Sequence, residues 1–326
     1  MRCIFSKSSD PYFNLATEEY LLKNSPEEVF LSYINEPCIV AGKHQNLLSE
    51  INLPFVIENK IKPARRLSGG GTVYQDLNNL NFSFIHNCKN PEKTNFKTYT
   101  LPVLEALGEM GLNVVFSDRN DLLINGLKVS GNAMHIWKTR VLSHGTLLFN
   151  SDLKQLSSGL KNNPERYTDR SIKSVRSKVT NLSDFMPAPK TMAEFCHELI
   201  SNIVKNMADS TTDSLSIHEN ESIEVLSREK FESWEWIYGY SPKYTYCNQI
   251  QLADQLIEFS FTVEKGIIRE VKTNLDAELN AELFYFFTSL IDTRHDYPTI
   301  LEKLPNENQN GKLTSLSLSM ICQSLF

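Results

Sequence analysis

The sequence predicts an α+β fold, in which a large domain with a mixed or antiparallel β-sheet flanked by helices is followed by a small α+β domain. Three observations predict it. Short strand-like runs separated by Asn, Pro and Gly fill much of the first half of the chain, and the pair Asn125-Gly126 joins two alternating runs. A further alternating run at 257–263 precedes a helical pattern at 277–292. We therefore expect one domain over residues 1–245 and a second over residues 246–326.

Turn signals and apolar spacing assign the individual elements. Asp10-Pro11 supplies an N-cap and a first-turn proline for a helix, and an amphipathic pattern predicts another helix over 189–209. The polar stretch 209–222 is expected to form a surface loop. A further helix is predicted at 98–111, and the predicted strands are 2–6, 29–34, 38–42, 54–59, 72–76, 80–87 and 144–150.

The Asn125-Gly126 pair also predicts the register of a hairpin. A two-residue type I′ loop at this pair gives four cross-strand pairs: Ile124 with Leu127, Leu123 with Lys128, Leu122 with Val129, and Asp121 with Ser130. Because side chains alternate between the two faces of a strand, one face of the hairpin is apolar and packs on the core. The other face carries Asp121 and Lys128, so we expect these two side chains to lie together.

Composition narrows the class of protein. The formal net charge of -6 argues against general nucleic-acid binding, which needs concentrated Lys and Arg. The six cysteines form no CxxC pair and are expected to be free thiols in a reducing compartment. No run approaches the roughly 18 apolar residues of a membrane span, and the first residues do not match a signal peptide. We expect a cytoplasmic protein that binds neither nucleic acid nor a membrane.

Three consecutive glycines, Gly69 to Gly71, follow two arginines in "RRLSGGGTVYQD". Glycines let a ligand or another backbone approach closely, and successive free N–H groups form an anion-binding concavity. The neighbouring arginines would complete a phosphate or carboxylate site. A tight turn entering a strand explains the glycines equally well, because the phosphate-loop and dinucleotide-binding patterns are both absent.

The glycine segment and the hairpin together resemble two motifs of the lipoate-protein ligase family. The family pattern RR-x-SGGG-[AT]-V-[YF]-HD-LGN-x-N aligns with residues 65–81, and K-[VIF]-SG-x-A matches "KVSGNA" from Lys128. Agreement continues in "GKHQN" (42–46), "SHGTLLFN" (143–150), "SVRSKVTNL" (174–182) and "SWEW" (233–236). The chain departs from the family at Lys43, Gln75 and Asn78, where arginine, histidine and glycine are usual.

This resemblance implies a biotin/lipoate ligase-like fold and a two-step reaction. Lipoate and ATP form lipoyl-AMP with release of pyrophosphate, and the lipoyl group is then transferred to a specific lysine of an acceptor protein. The implied cofactors are ATP and Mg²⁺, with Lys128 as the catalytic residue. The implied ATP or adenylate ligands are Arg66, Gly70, Gly71, Thr72, Val73, Tyr74, Asp121 and Lys128, and the implied lipoate ligands are Arg66, Leu67, Lys128 and His144.

The charges of the reactants suit these residues. Both lipoate and ATP are anions, so the site needs fixed cations and backbone donors to hold a carboxylate against the α-phosphate. Asp121 could orient Lys128 or carry Mg²⁺. Leu67 and Val40 could line a hydrophobic tunnel for the lipoyl tail. A solvated Asp–Lys surface pair is the plainer interpretation of the same spacing.

Several other functions stay open at this stage. One is a lipoyltransferase that uses pre-formed lipoyl-AMP and adenylates poorly, and another is a non-catalytic lipoate- or nucleotide-binding relative. An octanoyl transferase is disfavoured because no cysteine lies in a resembling motif, and a biotin ligase because its glycine-arginine loop is replaced by "RRLSGGG". The implied partners are apo lipoyl domains of 2-oxoacid dehydrogenase acyltransferase subunits and the glycine-cleavage carrier protein, and we expect a monomer.

Overall fold

A computed structural model describes residues 1–91, 94–207, 209–252, 255–278, 280–305 and 315–326, with the side chains of 315–317 outside the description. The chain folds as two compact units, each formed from several segments. Unit 1 comprises 1–43, 60–160 and 174–233, and unit 2 comprises 44–59, 161–173 and 234–326. Unit 2 thus includes two segments that precede residue 246. The division into domains at residues 245 and 246 stays a prediction.

The predicted α+β class is confirmed by alternating strands and helices along the chain. In the described residues, the helices are α1 Pro11–Asn24, α2 Leu53–Glu58, α3 Phe96–Glu109, α4 Leu153–Gly159, α5 Met192–Lys205, α6 Ile217–Leu226, α7 Ala281–Ser289, α8 Tyr297–Lys303 and α9 Ser315–Ser324. The strands of unit 1 are β1 Arg2–Phe5, β2 Val29–Ile34, β3 Cys38–Ala41, β4 Lys62–Arg65, β5 Val73–Gln75, β6 Asn79–Asn87, β7 Val114–Phe116, β8 Leu122–Ile124, β9 Leu127–Ser130, β10 Asn132–Trp137, β11 Arg140–Leu148 and β13 Thr211–Asp213. Those of unit 2 are β12 Tyr167–Asp169, β14 Tyr244–Leu252, β15 Gln255–Glu264 and β16 Ile267–Thr273.

In the described residues, two sheets of unit 1 are mixed and the third, β7-β8-β9, is antiparallel, as predicted. The largest has the strand order β10-β11-β6-β2-β1-β13, with antiparallel pairs from β10 to β2 and parallel pairs from β2 to β13. Two small sheets, β4-β3-β5 and β7-β8-β9, accompany it. Apolar side chains of β6, α3 and α5 form the main core with the apolar face of the hairpin β8–β9: Phe82, Phe84, Val103, Leu107, Leu122, Ile124, Val129, Phe195 and Leu199.

The hairpin register is confirmed near its turn and wrong beyond it. Ile124 pairs with Leu127 and Leu123 with Lys128, as predicted. The pairing then shifts at a bulge, so that Leu122 lies opposite Ser130 rather than Val129. A bulge places two residues of one strand against one of the other, and Val129 is the extra residue that the turn signal could not reveal. The predicted pairing of Asp121 with Ser130 fails for the same reason.

Two predicted elements are wrong. Residues 54–59, predicted as a strand, lie mostly in α2, where Asn52 accepts the Phe55 N–H and Pro54 occupies the first turn. The predicted surface loop at 209–222 contains strand β13 and much of α6. Strand β13 pairs with β1, and Ser216 with Glu219 forms a capping box at the start of α6. That S-x-x-E spacing was a helix signal in the sequence.

Unit 2 has its own antiparallel sheet, ordered β12-β14-β15-β16. The predicted alternation at 257–263 lies on β15, and the predicted helix at 277–292 contains α7. Buried aromatic residues of the sheet surround His295, whose Nδ1 lies 2.7 Å from the Tyr244 hydroxyl and whose Nε2 lies 2.7 Å from the Leu325 carbonyl. Burial lowers the pKa of His295 to about 4, so this histidine is neutral at physiological pH.

All six cysteines are free, as predicted. No helix in the described part of the chain is both long and apolar enough to span a bilayer.

Candidate active site

The glycine turn, residues Gly69 to Gly71, lies between β4 and β5, and the buried side chain of Arg66 bonds to its backbone. The Arg66 guanidinium donates from Nε to Ser68 Oγ at 3.0 Å and from Nη1 to the Val40 carbonyl at 3.0 Å. Its Nη2 donates to the carbonyls of Gly69 and Gly71, both at 2.7 Å. Burial lowers the pKa of Arg66 to about 10, which leaves it cationic at neutral pH. Arg66 therefore sets the shape of the turn.

The turn packs tightly against the end of β3. A Cβ atom added at Gly42 would lie 2.1 Å from the Gly70 carbonyl oxygen, closer than any real side chain approaches a backbone atom. Gly70 itself has φ +89°, a conformation that other residues adopt only with strain. Glycine is thus required at residue 42 by the close contact of two backbones and favoured at residue 70 by its backbone conformation.

We expect Gly42→Ala to distort the glycine turn and Gly69→Ala to be tolerated. The first adds a methyl group against the backbone of Gly70, whereas a Cβ at Gly69 meets nothing within 4 Å. Strain of this kind costs about 1–3 kcal/mol. Thermal unfolding of both variants, with ligand titration, checks the prediction. Equal behaviour of the two variants would contradict the observed packing.

Lys128 lies on β9 with its side chain paired to Asp121, as the sequence predicts. The distance from Lys128 Nζ to Asp121 Oδ1 is 2.9 Å, and both side chains are partly exposed. Segment 178–180 holds the backbone of Lys128 in place. The Lys128 N–H donates to the Lys178 carbonyl, and the Lys128 carbonyl accepts from the Thr180 N–H. The ammonium group therefore lies beside one carboxylate, on a strand that is hydrogen-bonded to segment 178–180.

The structure brings the two sequence motifs together. The Cβ position of Gly131 lies 3.3 Å from Lys128 Nζ and 3.8 Å from Val73 Cγ1, so the lysine reaches back toward the strand that follows the glycine turn. The Cβ position of Gly70 lies 4.0 Å from the Cβ of Ala133. A ligand anion beside the turn would thus lie near the fixed ammonium of Lys128.

A third segment, which sequence reasoning did not assign to the site, connects these parts. The hydroxyl of Ser174 accepts the Thr72 N–H at 2.8 Å, and a Cβ at Gly71 would lie 3.1 Å from that hydroxyl. Six residues later, Thr180 bonds to Lys128 as described above. The segment 174–180 therefore links the glycine turn with the Lys128 strand. Its sequence signal was the motif "SVRSKVTNL".

His144 is predicted as a lipoate contact, and in the structure it takes part in a buried series of side-chain hydrogen bonds. Its Nε2 lies 2.6 Å from Ser68 Oγ, and its Nδ1 lies 2.9 Å from Glu18 Oε2. The Glu18 carboxylate opposite Nδ1 favours a proton on that nitrogen, and the bond between Nε2 and the Ser68 hydroxyl can run in either direction. Ser68 in turn accepts from Arg66, and the chain of bonds runs from Glu18 to the glycine turn.

Glu18 is the buried end of this series of hydrogen bonds, and the sequence did not mark it as a site residue. It is fully buried and accepts from the Tyr33 hydroxyl at 2.9 Å and from the Ser83 hydroxyl. Burial by itself raises the pKa of Glu18, but the charge and hydrogen bond of His144 and the two hydroxyls outweigh it, so the pKa lies below its usual value. A sequence signal existed, because Glu18 falls on the same apolar face of α1 as Leu15 and Leu22.

The other predicted ligands are largely buried. Leu67, Val40 and Tyr74 are each less than a tenth exposed, and the Tyr74 hydroxyl donates to Gln155 at 3.3 Å. Burial raises the pKa of Tyr74, so its hydroxyl stays protonated. Gln75, which stands at the position of a family histidine, accepts from the Asn35 amide at 2.7 Å.

The side chains available as ligands limit how a metal ion could bind. In the described residues, no group of three His, Cys, Asp or Glu side chains is placed to hold an ion. Mg²⁺ commonly takes one or two carboxylates together with substrate phosphates and water. Asp121 could supply one such carboxylate, so the residues fit Mg²⁺ brought in with a nucleotide rather than a resident protein-bound ion.

A lysine on β9 near a glycine turn that is held by a buried arginine suits an enzyme that acts on anionic substrates. The comparison with known proteins gives the family. Residues 10–204 match the model of the lipoyl protein ligase A/B catalytic domain, and the chain belongs to this family of enzymes.

Individual relatives agree with this assignment. The chain is 38% identical over 298 residues to lipoate–protein ligase 1 of Staphylococcus aureus, covering 91% of this chain and 90% of that protein. It is 40% identical over 268 residues to lipoate-protein ligase LplJ of Bacillus subtilis, covering 81% of each. Among solved structures, LipL1 of P. falciparum in complex with lipoate is 25% identical with a TM-score of 0.62, and the match covers 99% of this chain and 100% of that one.

Proposed function

We propose that this chain is an ATP-dependent lipoate-protein ligase, which converts lipoate to lipoyl-AMP and transfers the lipoyl group to a lysine of apo lipoyl domains. The observation that carries the proposal is the position of Lys128, whose Nζ lies 3.3 Å from the Cβ position of Gly131 and 2.9 Å from Asp121 Oδ1. The structure of LipL1 of P. falciparum contains lipoate, and this chain carries the lipoate-protein ligase motifs from residue 42 to residue 236.

Lys128 would act on both half-reactions through its charge. In the first, a lipoate carboxylate oxygen attacks the α-phosphorus of ATP, a new P–O bond forms, and pyrophosphate leaves with the electron pair of the bond that breaks. In the second, the acceptor amine attacks the acyl carbon, a C–N bond forms, AMP leaves, and the amine loses a proton. Negative charge on the acyl and phosphate oxygens is held by a cation whose position is fixed before binding.

Asp121 would hold Lys128 in place and could contribute one oxygen to Mg²⁺. Because its carboxylate already bonds the ammonium at 2.9 Å, we propose orientation of Lys128 as its first role. Mg²⁺ bound to the ATP phosphates would reduce the charge that opposes attack by an anionic carboxylate.

The glycine turn would bind the nucleotide through backbone groups. Arg66 occupies the carbonyls of Gly69 and Gly71, so the N–H groups of Gly70, Gly71, Thr72 and Val73 are the donors that we propose for phosphate. Because Ser174 accepts the Thr72 N–H, a ligand oxygen at that position would replace the serine hydroxyl.

The lipoyl tail would lie against apolar side chains near His144. We propose Leu67 and Val40 as lining residues and His144 as a contact. Both ring nitrogens of His144 are bonded to protein, so the ring edge is what it would offer an apolar ligand. Arg66, which makes four bonds to protein, would assist lipoate from behind the turn.

The remaining assignments follow from the proposed reaction. The acceptors would be lipoyl domains of 2-oxoacid dehydrogenases and the glycine-cleavage carrier protein, met by a monomeric enzyme in the cytoplasm. Residues 1–245 would form the catalytic domain and residues 246–326 the accessory domain.

Two measurements on the same preparation test the proposed function. We expect lipoate-dependent exchange of labelled pyrophosphate into ATP with Mg²⁺, together with a lipoyl-sized mass gain on an added apo lipoyl domain. A mass gain only from supplied lipoyl-AMP would identify a transferase instead. No product from either donor would overturn the proposal in favour of a binding protein.

A further inference from the structure

We propose that the outer edge of β10, with four lysines beside it, is the surface on which an acidic protein acceptor docks. The lysines are Lys23, Lys43, Lys138 and Lys230, called here the lysine row. This inference rests on the proposed function, because it assigns a place to the protein substrate of that reaction.

The first observation is that β10 is an edge strand next to the site. It pairs with β11 on one side, and no strand of the described residues pairs with its other side. It begins at Asn132, four residues after Lys128, and runs to Trp137. At about 3.3 Å per residue, the strand leads about 17 Å away from the catalytic lysine. An edge of this length can accept an extended strand from another protein.

The second observation is the direction of the side chains. Ala133, His135 and Trp137 share one face of β10, and the Cβ of Ala133 lies 4.0 Å from the Cβ position of Gly70 in the glycine turn. The face that carries Trp137 therefore starts at the turn and continues outward. A partner strand laid along it could place a lysine at the turn while its other residues contact His135 and Trp137.

The third observation is the charge along that face. Trp137 is 36% exposed, and the ammonium groups of Lys23 and Lys138 lie 4.7 and 5.6 Å from its ring centre. Lys23 and Lys230 share the carboxylate of Glu19, at 2.5 and 2.6 Å. Burial lowers the pKa of His135, and the charges of Lys43 and Lys230 lower it further. The four charges of the lysine row are thus offset by the one carboxylate of Glu19, which leaves an excess of positive charge near this edge in a protein whose net charge is -6.

These features fit a protein better than a nucleotide. A nucleotide would need few contacts at one point, whereas the lysines follow a strand edge whose backbone can pair and whose end carries an amphipathic tryptophan. Cations along such an edge attract an acidic partner and set its orientation during encounter. The geometry therefore points to an acidic domain that presents its target lysine from a strand or hairpin.

The test separates acceptor docking from activation of lipoate. We compare wild type with Lys138→Glu and Trp137→Ala, and with Lys272→Glu as control, because Lys272 is an exposed lysine on β16 in unit 2. Thermal unfolding confirms that each variant is folded. We expect lipoate-dependent pyrophosphate exchange to stay within about twofold of wild type in all of them.

The kinetics of transfer to the acceptor protein should distinguish the variants. At low salt we expect Lys138→Glu and Trp137→Ala to raise KM for an apo lipoyl domain about 5- to 20-fold, with Lys272→Glu unchanged, and the effect of Lys138→Glu to shrink as salt rises. An unchanged acceptor KM in both variants would overturn the proposal. Loss of exchange in step with transfer would assign the lysine row to ATP.

Failure of the proposed function would be seen separately. If wild type catalyses no exchange, direct titration of the apo lipoyl domain against the same four proteins measures docking without catalysis. Weaker binding of Lys138→Glu and Trp137→Ala would still support the surface, and equal binding of all four would reject it.

Discussion

Lys128→Ala is expected to abolish both lipoate-dependent pyrophosphate exchange and transfer to an acceptor. Loss of one pre-placed donor to a developing negative charge typically costs about 10²- to 10³-fold in rate, and Lys128 would serve both half-reactions. Stability should change little, because the pair with Asp121 is partly exposed and such pairs contribute about 0–1 kcal/mol. Exchange, single-turnover transfer and thermal unfolding of the purified variant check all three statements.

Two further variants separate charge from position. Lys128→Arg keeps the cation but replaces a compact ammonium by a planar group, so we expect partial activity at best. Asp121→Asn leaves Lys128 without its charged partner, and we expect the rate of pyrophosphate exchange to fall about tenfold. If Asp121 also carries Mg²⁺, the affinity for ATP should fall as well. Near-normal exchange by Lys128→Ala would show that the lysine is a surface residue and that the site lies elsewhere.

The sequence was sufficient to predict the contact between Asp121 and Lys128. The Asn125-Gly126 turn fixes which residues face each other close to the loop, and Lys128 is only two residues from it. The bulge beyond Leu123 could not be predicted, since it depends on how the hairpin packs on the core and on segment 178–180. Asp121 reaches Lys128 despite the shift, because its contact is made by the side chain and not by the register.

Contacts between distant segments account for what the sequence did not show. Strand β13 is three polar, exposed residues, and it forms because β1 offers it an edge. The role of Ser174 depends on a bond to residue 72, about a hundred residues earlier. Arg66 was predicted to face ligand, whereas its four bonds to the turn and its surroundings appear only once the chain has folded around it.

Glu18→Ala is expected to lower stability more than any other single substitution near the site. It removes a fully buried carboxylate and leaves His144 and the hydroxyls of Tyr33 and Ser83 without their partner. Breaking a buried, hydrogen-bonded charge pair costs about 3–5 kcal/mol, much of it from the groups left behind. Denaturant unfolding at pH 7 measures the loss.

Glu18→Gln separates the effect of these hydrogen bonds on stability from the effect of side-chain packing. The amide keeps the volume and an acceptor for the two hydroxyls, but its NH₂ group would face the Nδ1–H of His144. His144 Nδ1 lies 3.0 Å from Oε1 of residue 18 as well, so its proton would have to share the one remaining amide oxygen with the two hydroxyls. We expect a smaller stability loss, about 1–3 kcal/mol, and a higher KM for lipoate or ATP because Ser68 bonds to Arg66 under the glycine turn.

The pH dependence of stability distinguishes the charge from the hydrogen bonds. The pKa of Glu18 is lowered on folding, so its ionised form contributes stability that is fully present above the unfolded value of about 4.3 and is lost as pH falls through the folded value. Wild type should therefore lose more unfolding free energy than Glu18→Gln between pH 6 and pH 3, and the two curves should converge in acid. Parallel curves would mean that Glu18 is already protonated in the folded protein, and the chain from Glu18 through His144 to the glycine turn would then be neutral.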